Sequence, residues 1–303
     1  SEPVILETLR ELDEKGFLSR FGAVLNTRAM GGDSRLAAMN VPDRCWDSVV
    51  EAVNDYRTVT HNYRRNHSLN LWFVLSAAEE SLIDETVQSI EDETGLRVYN
   101  LPKLKEYYVG LRFRFEPDGS VSTVSLDEEY QQKPLQDERR LTGEQRDVVL
   151  AIQDGLPIRK HPYQNLAKDM DMDSTTVRSV IRTLLEERKI KRLGCVPNHY
   201  ALGIRGNGML VMNVPDDRVD EVGEQLAGRD EVTHCYRRPR HRPVWPYNFF
   251  AMVHDRTRDR ARQKVENLLN KMDMEEFAHE VLFSEELLKK TGLRLNLTTK
   301  TES

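Results

Sequence analysis

The alternation of apolar and polar residues predicts the same order of strands and helices twice along the chain. Short apolar or period-two runs predict four strands in each half, at 34–41, 57–66, 69–76 and 96–101 and at 208–214, 231–238, 247–254 and 276–283. Helical spacing predicts two helices in each half, at 43–54 and 80–93 and at 216–227 and 257–271. Each half therefore has the order β-α-β-β-α-β, which is typical of a ferredoxin-like domain.

Three more helices are predicted ahead of the second half, at 144–154, 162–170 and 173–189. Asp173 and Ser174 suit the N-cap of the third helix, and Val177 and Ile181 follow at helical spacing. Together with the extended segment that comes next, these helices predict a winged helix-turn-helix. Residues 1–16 match only the third of these helices, so either the first half has lost the front of this module or the sequence starts late within it.

The two halves also share residues in the same order, which indicates a tandem duplication. The segment MNVPD occurs at 39–43 and 212–216, and VTHNYRR at 59–65 corresponds to VTHCYRR at 232–238. The sequence therefore predicts an α+β fold, in which a winged helix-turn-helix and a ferredoxin-like domain are duplicated. The predicted boundaries are a partial winged-helix segment at 1–22, a ferredoxin-like domain at 23–115, a polar linker at 116–140, a winged helix-turn-helix at 141–195 and a second ferredoxin-like domain at 196–303. Because helices cover only one face of such a sheet, we expect the two sheets to cover each other's open face.

The composition is that of a globular protein, with 39% hydrophobic and 31% charged residues in a chain of 303. No apolar run approaches the ~20 residues needed to cross a bilayer, so we expect no membrane segment. The three cysteines lie far apart, which excludes a disulfide framework or a thiolate metal site within this chain and favours the cytoplasm. The net charge is −6, whereas nucleic-acid binding usually requires a basic surplus. Residues 1–16 are net acidic and 173–190 carry only one excess positive charge, so we do not expect DNA binding.

Two stretches contain no acidic residue although the chain as a whole is acidic. We call residues 58–74 the first cassette and residues 232–254 the second cassette. Both are rich in arginine and histidine, with tyrosine, tryptophan and phenylalanine interleaved. A charged strand is usually a solvated surface, but a surface that needs only to be soluble does not require the same His-x-Tyr-Arg-Arg in both copies. The cassettes therefore predict a binding site for an anionic, partly aromatic ligand.

The residue types narrow the class of ligand further. Arginine binds carboxylates with two parallel hydrogen bonds, and histidine can transfer a proton or ligate a metal near neutral pH. Aromatic rings offer flat faces to a macrocycle. This combination favours a polycarboxylated, metal-bearing tetrapyrrole over a simple phosphate.

The order of domains resembles the Lrp/AsnC class of regulators. The cassettes resemble a narrower family with the same fold. Residues 60–65 (THNYRR) with 70–73 (NLWF), and 234–239 (HCYRRP) with 245–248 (WPYN), resemble those of sirohaem decarboxylases, which have the regulator fold. In that family two related subunits are common, and this chain resembles both of them fused. The resemblance implies removal of the C12 and C18 acetate carboxyl groups of sirohaem, which yields 12,18-didecarboxysirohaem and carbon dioxide in haem d1 or alternative haem biosynthesis.

The resemblance also implies roles for individual residues. The candidate catalytic proton donors are His61, Tyr63, His234 and Tyr236. The candidate substrate-binding residues are Arg64, Arg65, His67, Asn70 and Trp72 in the first cassette and Arg237, Arg238, Arg240, His241, Trp245, Tyr247 and Asn248 in the second. His67 and His241 are also candidate axial ligands of the substrate's iron, and no other cofactor is implied. We expect the second cassette to form the main pocket because it holds more arginine and the WPYN turn.

Two other functions remain open from the sequence. One is an Lrp/AsnC-type transcription regulator that senses a small effector, and the other is a sensor that binds haem or sirohaem without converting it. The expected partners are sirohaem and either a second copy of the chain or homologous decarboxylase subunits.

Overall fold

The computed structural model describes residues 1–110, 113–115, 121–123, 140–198, 201–292 and 295. The first part of the chain contains α1 (Glu2–Glu14), β1 (Leu18–Leu25), a 3-10 turn (Arg28–Met30), β2 (Asp33–Met39), a second 3-10 turn (Asp43–Cys45), α2 (Trp46–Asp55), β3 (Val59–Arg65), β4 (Leu71–Ala77), α3 (Glu80–Thr94), β5 (Val98–Leu101), β6 (Lys105–Val109), β7 (Phe113–Phe115) and β8 (Val121–Thr123). The second part contains α4 (Gly143–Ile152), α5 (Pro162–Asp169), α6 (Ser174–Glu186), β9 (Ile190–Pro197), β10 (Gly206–Met212), α7 (Val219–Leu226), β11 (Val232–Arg237), β12 (Phe249–Asp255), α8 (Arg258–Lys271) and β13 (His279–Lys290).

The predicted helices and strands of both halves are confirmed to within a few residues. Asp173 caps α6, since its carboxylate accepts hydrogen bonds from the backbone N–H groups of Thr175 and Thr176 at 2.7 and 3.1 Å. Several extended segments were not predicted, namely β1, β6, β7, β8 and the second half of β13. The predicted linker, 116–140, lies outside the described residues apart from β8 and residue 140, and β8 pairs with β7.

The strands exchange partners between the two halves. The main sheet has the order β5-β2-β4-β3-β13-β10-β12-β11-β6, so each half contributes the strand that extends the sheet of the other. The first part of β13 pairs with β10, and its end pairs with β3 in the first half. In the same way β6, from the first half, pairs with β11 at the edge of the second. The two units are therefore interlocked through their backbones.

Strand alternation divides the core into layers. In β2 and β4, Ala37 and Phe73 pack against the helices, whereas Ala38 and Trp72 face the other way. Ala38 and Trp72 share a buried cluster with residues of the second half, including Val211. The nine-stranded sheet thus consists of two parts, one from each half, which we call the two sheets. Their open faces cover each other, which confirms the expectation from the sequence.

The first half contributes a strand to the winged helix of the second half. Strand β1 pairs antiparallel with β9, and Ala23 and Leu25 of β1 lie in one core with Val148 of α4 and Ile181 of α6. A Cβ atom on Gly22 would lie 2.7 Å from the Cα of Gly155, so glycine is needed for this close approach. The ribbon of β1 and β9, which we call the wing, thus joins the two halves.

Candidate functional site

The side chains of the first cassette divide between the two faces of β3. His61, Tyr63 and Arg65 share the face that is turned away from the helices. The ring centroids of His61 and Tyr63 lie 6.4 Å apart with nearly parallel planes, and the Arg65 guanidinium lies 5.8 Å from the Tyr63 ring centroid. Asn62 points to the other side, where its amide donates to Asn54 of α2 at 3.0 Å.

The second cassette repeats this arrangement on β11. The ring centroids of His234 and Tyr236 lie 6.2 Å apart, and the Arg238 guanidinium lies 5.1 Å from the centroid of the Tyr236 ring. The intervening Cys235 is buried in the helix-side core. A His–Tyr–Arg face is therefore present in both halves, built from alternate residues of one strand.

Each arginine of this face is tied to the backbone of the opposite half. Arg65 donates to the carbonyl oxygen of Leu282 at 3.0 Å, and Arg238 donates to that of Leu101. Burial lowers the pKa of Arg238 to about 10, which still leaves it positively charged at neutral pH. These two cations are thus held at the border between the halves.

The two histidine rings are held in the same way. The Nδ1 atom of His61 lies 3.1 Å from the hydroxyl oxygen of Thr60, and that of His234 lies 2.9 Å from the hydroxyl oxygen of Thr233. No hydrogen bond to the Nε2 atom of either ring comes from the part of the chain that the structure describes. Both residues are only half-buried by surface area, yet burial lowers the pKa of each to about 4. Each ring is therefore largely surrounded by protein atoms and keeps some access to solvent.

The exchanged strands and the wing supply the neighbours of each face. In the first half, the end of β13 places Leu287 opposite Tyr63 and Lys290 opposite His61, and Arg20 of β1 also acts on His61. We call His61, Tyr63, Arg65, Arg20, Leu287 and Lys290 the first pocket.

In the second half, β6 places Glu106 opposite Tyr236 and Val109 opposite His234, and Lys191 of β9 acts on His234. Lys103, just before β6, lies with its Nζ atom 5.4 Å from the centroid of the Tyr236 ring. We call His234, Tyr236, Arg238, Lys103, Glu106 and Lys191 the second pocket.

Three arginines predicted as carboxylate clamps lie elsewhere. The Arg64 guanidinium stacks 4.4 Å from the ring centroid of Trp46 in α2, because β3 turns adjacent side chains to opposite faces. Arg237 likewise faces α7, where its nearest acidic oxygens are those of Asp216 and Asp220 at 3.7 and 3.8 Å.

Arg240 lies in the loop after β11 and braces that loop. Its Nε atom donates to Asn213 at 3.0 Å and to the carbonyl oxygen of Pro246 at 2.9 Å, and it pairs with Asp216 at 2.6 Å. The structure does not bring these three arginines together with the His–Tyr–Arg faces.

The two candidate asparagines hold strand ends together. The amide of Asn70 accepts from the backbone N–H of Val41 and donates to its carbonyl, both at 2.9 Å. Asn248 makes the same pair of bonds with Val214, both at 3.0 Å. Their repetition in both halves follows from the repeated fold.

The candidate aromatic residues Trp72, Trp245 and Tyr247 form part of the core between the sheets. Trp72 and Trp245 are at most 1% exposed, and their ring centroids lie 5.0 Å apart. Tyr247 packs on Trp245 at 5.0 Å and donates its hydroxyl proton to Glu280. Their rings reach a ligand only if the sheets separate.

The two candidate iron ligands, His67 and His241, lie near this core. The Nδ1 atom of His67 accepts from the backbone N–H of Leu69 at 2.9 Å, and its ring packs edge-on against Trp245 at 5.3 Å. Burial lowers the pKa of His67, which keeps the ring neutral. The Nε2 atom of His241 lies 2.7 Å from the carbonyl oxygen of Asn100. Each ring thus has one nitrogen engaged by the backbone, and the Nε2 atom of His67 lies 4.0 Å from the carboxylate of Glu280.

The sequence reasoning missed the residues that reach a pocket from another part of the chain. They are Arg20, Lys103, Glu106, Lys191, Leu287 and Lys290. Arg20 carried one signal, since it recurs at the equivalent position as Arg192. The alternation in 105–109 is compatible with a strand, but it does not indicate which strand is its partner.

Other surfaces of the described residues show fewer features of a binding site. A groove of about 750 Å³ lies beside α1, lined by Glu7, Arg10 and Glu11 among others, and it contains no cassette residue. Within the described residues, no group of three or more His, Cys, Asp or Glu side chains is arranged to hold a metal ion. None of the helices described is both long and apolar enough to cross a membrane.

Comparisons with known proteins agree with this architecture. A protein-family model for the AsnC-like ligand binding domain matches residues 29–108 and 201–289. The sirohaem decarboxylase NirDL subunit of Paracoccus denitrificans is 30% identical over 291 residues, which cover 96% of this chain and 87% of the relative. The sirohaem decarboxylase NirL subunit of Stutzerimonas stutzeri is 43% identical over 143 residues, which cover 47% of this chain and 84% of the relative.

A solved structure extends the similarity to three dimensions. The crystal structure of the sirohaem decarboxylase NirDL in co-complex with an iron-uroporphyrin III analogue has a TM-score of 0.68 and 25% identity, and the match covers 97% of this chain and 85% of that one. The two domain matches coincide with the two ferredoxin-like units, and the NirDL similarity runs through nearly the whole chain. This chain therefore belongs to the sirohaem decarboxylase family and is built on a duplicated Lrp/AsnC-like fold.

Proposed function

We propose that this chain is a carboxy-lyase that converts sirohaem to 12,18-didecarboxysirohaem and two molecules of carbon dioxide, in haem d1 or alternative haem biosynthesis in the cytoplasm. The observation that carries the proposal is the His–Tyr–Arg face, which is present in both halves and surrounded by cations from other parts of the chain. A relative was crystallised with an iron-uroporphyrin III analogue, which belongs to the ligand class that the cassettes favour.

We propose that the cations of each pocket bind the carboxylates that the substrate keeps. Arg65 and Arg238 present guanidinium groups at the border between the halves, and their fork geometry matches a carboxylate. Arg20, Lys290, Lys103 and Lys191 add positive charge from the wing and the exchanged strands. Arg64, Arg237 and Arg240 are assigned to the fold, because each already contacts the protein on another face or in a loop.

The reaction consumes protons that the pockets must deliver. Each acetate follows R–CH2–COO⁻ + H⁺ → R–CH3 + CO2, so two protons are consumed in total. The electron pair of the breaking C–C bond needs an acceptor, and protonation of the pyrrole carbon next to the one that bears the acetate makes the ring that acceptor, because the pair can then form a double bond between the acetate-bearing carbon and its CH2 group. After carbon dioxide leaves, the exocyclic carbon is protonated and the ring proton is returned. No cofactor beyond the iron of the substrate is needed for this balance.

Histidine and tyrosine are the proton donors in this proposal. Both His61 and His234 are neutral at pH 7 in the unliganded chain, because burial lowers their pKa to about 4. A substrate carboxylate beside either ring stabilises the imidazolium form, so the proton is taken up as the substrate binds. Tyr236 remains protonated, because burial and Glu106 raise the pKa of its hydroxyl. His67 or His241 is the proposed ligand of the substrate iron, through its nitrogen that is not engaged by the backbone.

The decisive experiment is anaerobic incubation of the purified chain with sirohaem, followed by mass spectrometry of the pigment. Loss of two carboxyl groups is expected, and it would also show that the fused chain needs no homologous subunit. Loss of one carboxyl group would indicate one competent pocket or a missing subunit. Tight binding with unchanged mass would favour the haem or sirohaem sensor. Absence of binding, with salt-sensitive retention of DNA, would favour the transcription regulator.

A further inference from the structure

The second pocket contains an acidic residue that reaches it from the other half of the chain. Strand β6 leaves the first ferredoxin-like unit and pairs with β11, and this register places Glu106 opposite Tyr236. The adjacent Lys105 faces α7, where it lies 3.2 Å from Asp220. The strand alternation thus directs Glu106 to the His–Tyr–Arg side.

Glu106 is surrounded by positive charge. Its carboxylate lies 2.8 Å from the Nζ atom of Lys103, which in turn lies over the ring of Tyr236. Lys191 of the wing and Arg28 also act on it, and despite partial burial these cations lower the pKa of Glu106. The carboxyl group is therefore ionised at neutral pH, and 39% of the side chain is exposed to solvent.

The first pocket has no counterpart to this acid at the equivalent position. There the exchanged strand places Leu287 opposite Tyr63. Among the described residues, the charges that act on His61 are the two cations Lys290 and Arg20. For His234 the corresponding charges are Lys191, Lys103 and Glu106, and Glu106 alone favours the protonated ring.

An acid opposes the binding of a polycarboxylated substrate, so its presence in the pocket needs another explanation. The interactions of Glu106 with Lys103 and Lys191 suggest such an explanation. Glu106 fixes the position of Lys103 beside Tyr236, and it offsets the positive charge of Lys191 that would keep His234 unprotonated. Both effects act on the groups that would deliver protons, and neither adds affinity for carboxylates.

We infer that Glu106 is a positioning residue for proton delivery in the second pocket, which holds Lys103 against Tyr236 and allows His234 to carry a proton. This inference rests on the proposed function. It assigns to the first half of the chain a direct part in the chemistry of the second, through the strand that the halves exchange.

The test compares Glu106→Gln with the wild-type chain in two assays, sirohaem binding by absorbance titration and single-turnover decarboxylation by mass spectrometry. Removing the negative charge should leave binding unchanged or make it tighter, because one repulsion of the substrate's carboxylates is lost. The turnover rate should fall about 10-fold, which is less than the roughly 100- to 10,000-fold that a general acid–base group itself contributes, because Glu106 acts through Lys103 and His234. Glu106→Asp, which keeps the charge, should recover part of the rate.

The matched control is Glu224→Gln, which removes a carboxylate that faces Lys105 from α7 on the opposite side of the sheet. Its binding and turnover should equal those of the wild type. A Glu106→Gln rate within about 2-fold of wild type would overturn the inference, as would a parallel loss of binding and rate or an equal effect of Glu224→Gln. If the wild-type chain itself forms no product, the proposed function fails and this inference fails with it.

Discussion

The two pockets use the same strand residues in different surroundings. Both present histidine, tyrosine and arginine at alternate positions, and in both the histidine is held by the preceding threonine. They differ in what the exchanged strand brings, since β13 contributes Leu287 and Lys290 to the first pocket, whereas β6 contributes Glu106 and Val109 to the second. The difference therefore lies in residues that reach each pocket from the other half.

This pattern shows how a duplicated chain can make two equivalent sites unequal. The strand that carries the cassette is also part of each sheet's core, so changing it disturbs packing on its other face. The exchanged strand lies at the border and has one partner strand at its pocket end, so its residues can change at a lower energetic cost. The chain can thus keep the same His–Tyr–Arg face in both halves, while the residues of the exchanged strands change the charges around it.

The strongest test of unequal pockets is removal of each histidine in turn. His234→Gln should lower the single-turnover rate by about 100-fold, because the proton donor beside Glu106 is lost. His61→Gln should lower it by about 10-fold, since the first pocket offers cations but no described acid beside its histidine. Mass spectrometry of the pigment measures both rates. Equal losses would show that the two pockets contribute equally, and the absence of any loss for His234→Gln would remove it as a proton donor.

The same histidines should make the free energy of unfolding depend on pH. Their folded pKa is about 4, against about 6.5 in the unfolded chain, so below pH 6.5 the unfolded state binds protons that the folded state does not. Stability should therefore fall as the pH decreases from 6.5 towards 4, by roughly 2 kcal/mol per ring between pH 7.5 and 5.

Urea unfolding at the two pH values measures this effect. Each single His→Gln variant should lose about half of the pH-dependent difference between the wild type and the double variant. A difference carried by one ring alone would show that the pockets differ in burial as well as in charge. If the double variant has the same pH dependence as the wild type, the rings are not held neutral by the fold.

The sequence was sufficient for the local structure and for the duplication, since periodicity and repetition are properties of neighbouring residues. It was insufficient wherever a long-range partner decides the outcome. The alternation of 105–109 does not reveal that β6 pairs with β11, so Glu106 and Lys103 could not be placed. The period of two predicts one face with His61, Tyr63, Arg65 and His67 and another with His234, Tyr236, Arg238 and Arg240. The structure places the first three residues of each set together. The fourth was wrong in both sets, because His67 and Arg240 follow the end of their strand and contact Trp245 and Asp216 instead.

The recurrence of a residue in both halves does not by itself distinguish a binding residue from a structural one. An asparagine recurs at Asn70 and Asn248 because both copies of the fold need the same pair of side-chain hydrogen bonds to the backbone at a strand end. Trp72 and Trp245 face each other across the two sheets, so they belong to the packing that joins the halves. A duplication repeats structural residues as faithfully as binding residues, and only the burial and contacts of each side chain separate the two groups.

A smaller effect is expected from the arginines, and it separates the two faces of one strand. Arg238→Ala should weaken sirohaem binding by about 10-fold or more, because a charge-assisted pair with a substrate carboxylate is lost. Arg65→Ala should have a similar effect in the first pocket. Arg237→Ala is the control, since its ion pairs are partly exposed and such pairs contribute little, so binding should change by about 2-fold at most. Absorbance titration with sirohaem measures all three, and an equal loss for Arg237 and Arg238 would contradict the assignment of faces.

The smallest expected effect comes from placing an acid in the first pocket, which makes its charge resemble that of the second. Leu287 is 43% exposed and lies opposite Tyr63, so Leu287→Glu should be accommodated without loss of core packing. The new carboxylate should weaken sirohaem binding by about 3-fold through repulsion, which corresponds to a partly screened interaction. It should also raise the pKa of His61, which NMR titration of the ring can follow. Leu287→Gln controls for polarity without charge. A pKa of His61 that stays unchanged would show that the side chain at position 287 does not act on that ring, and that the two pockets differ for a reason other than the exchanged strand.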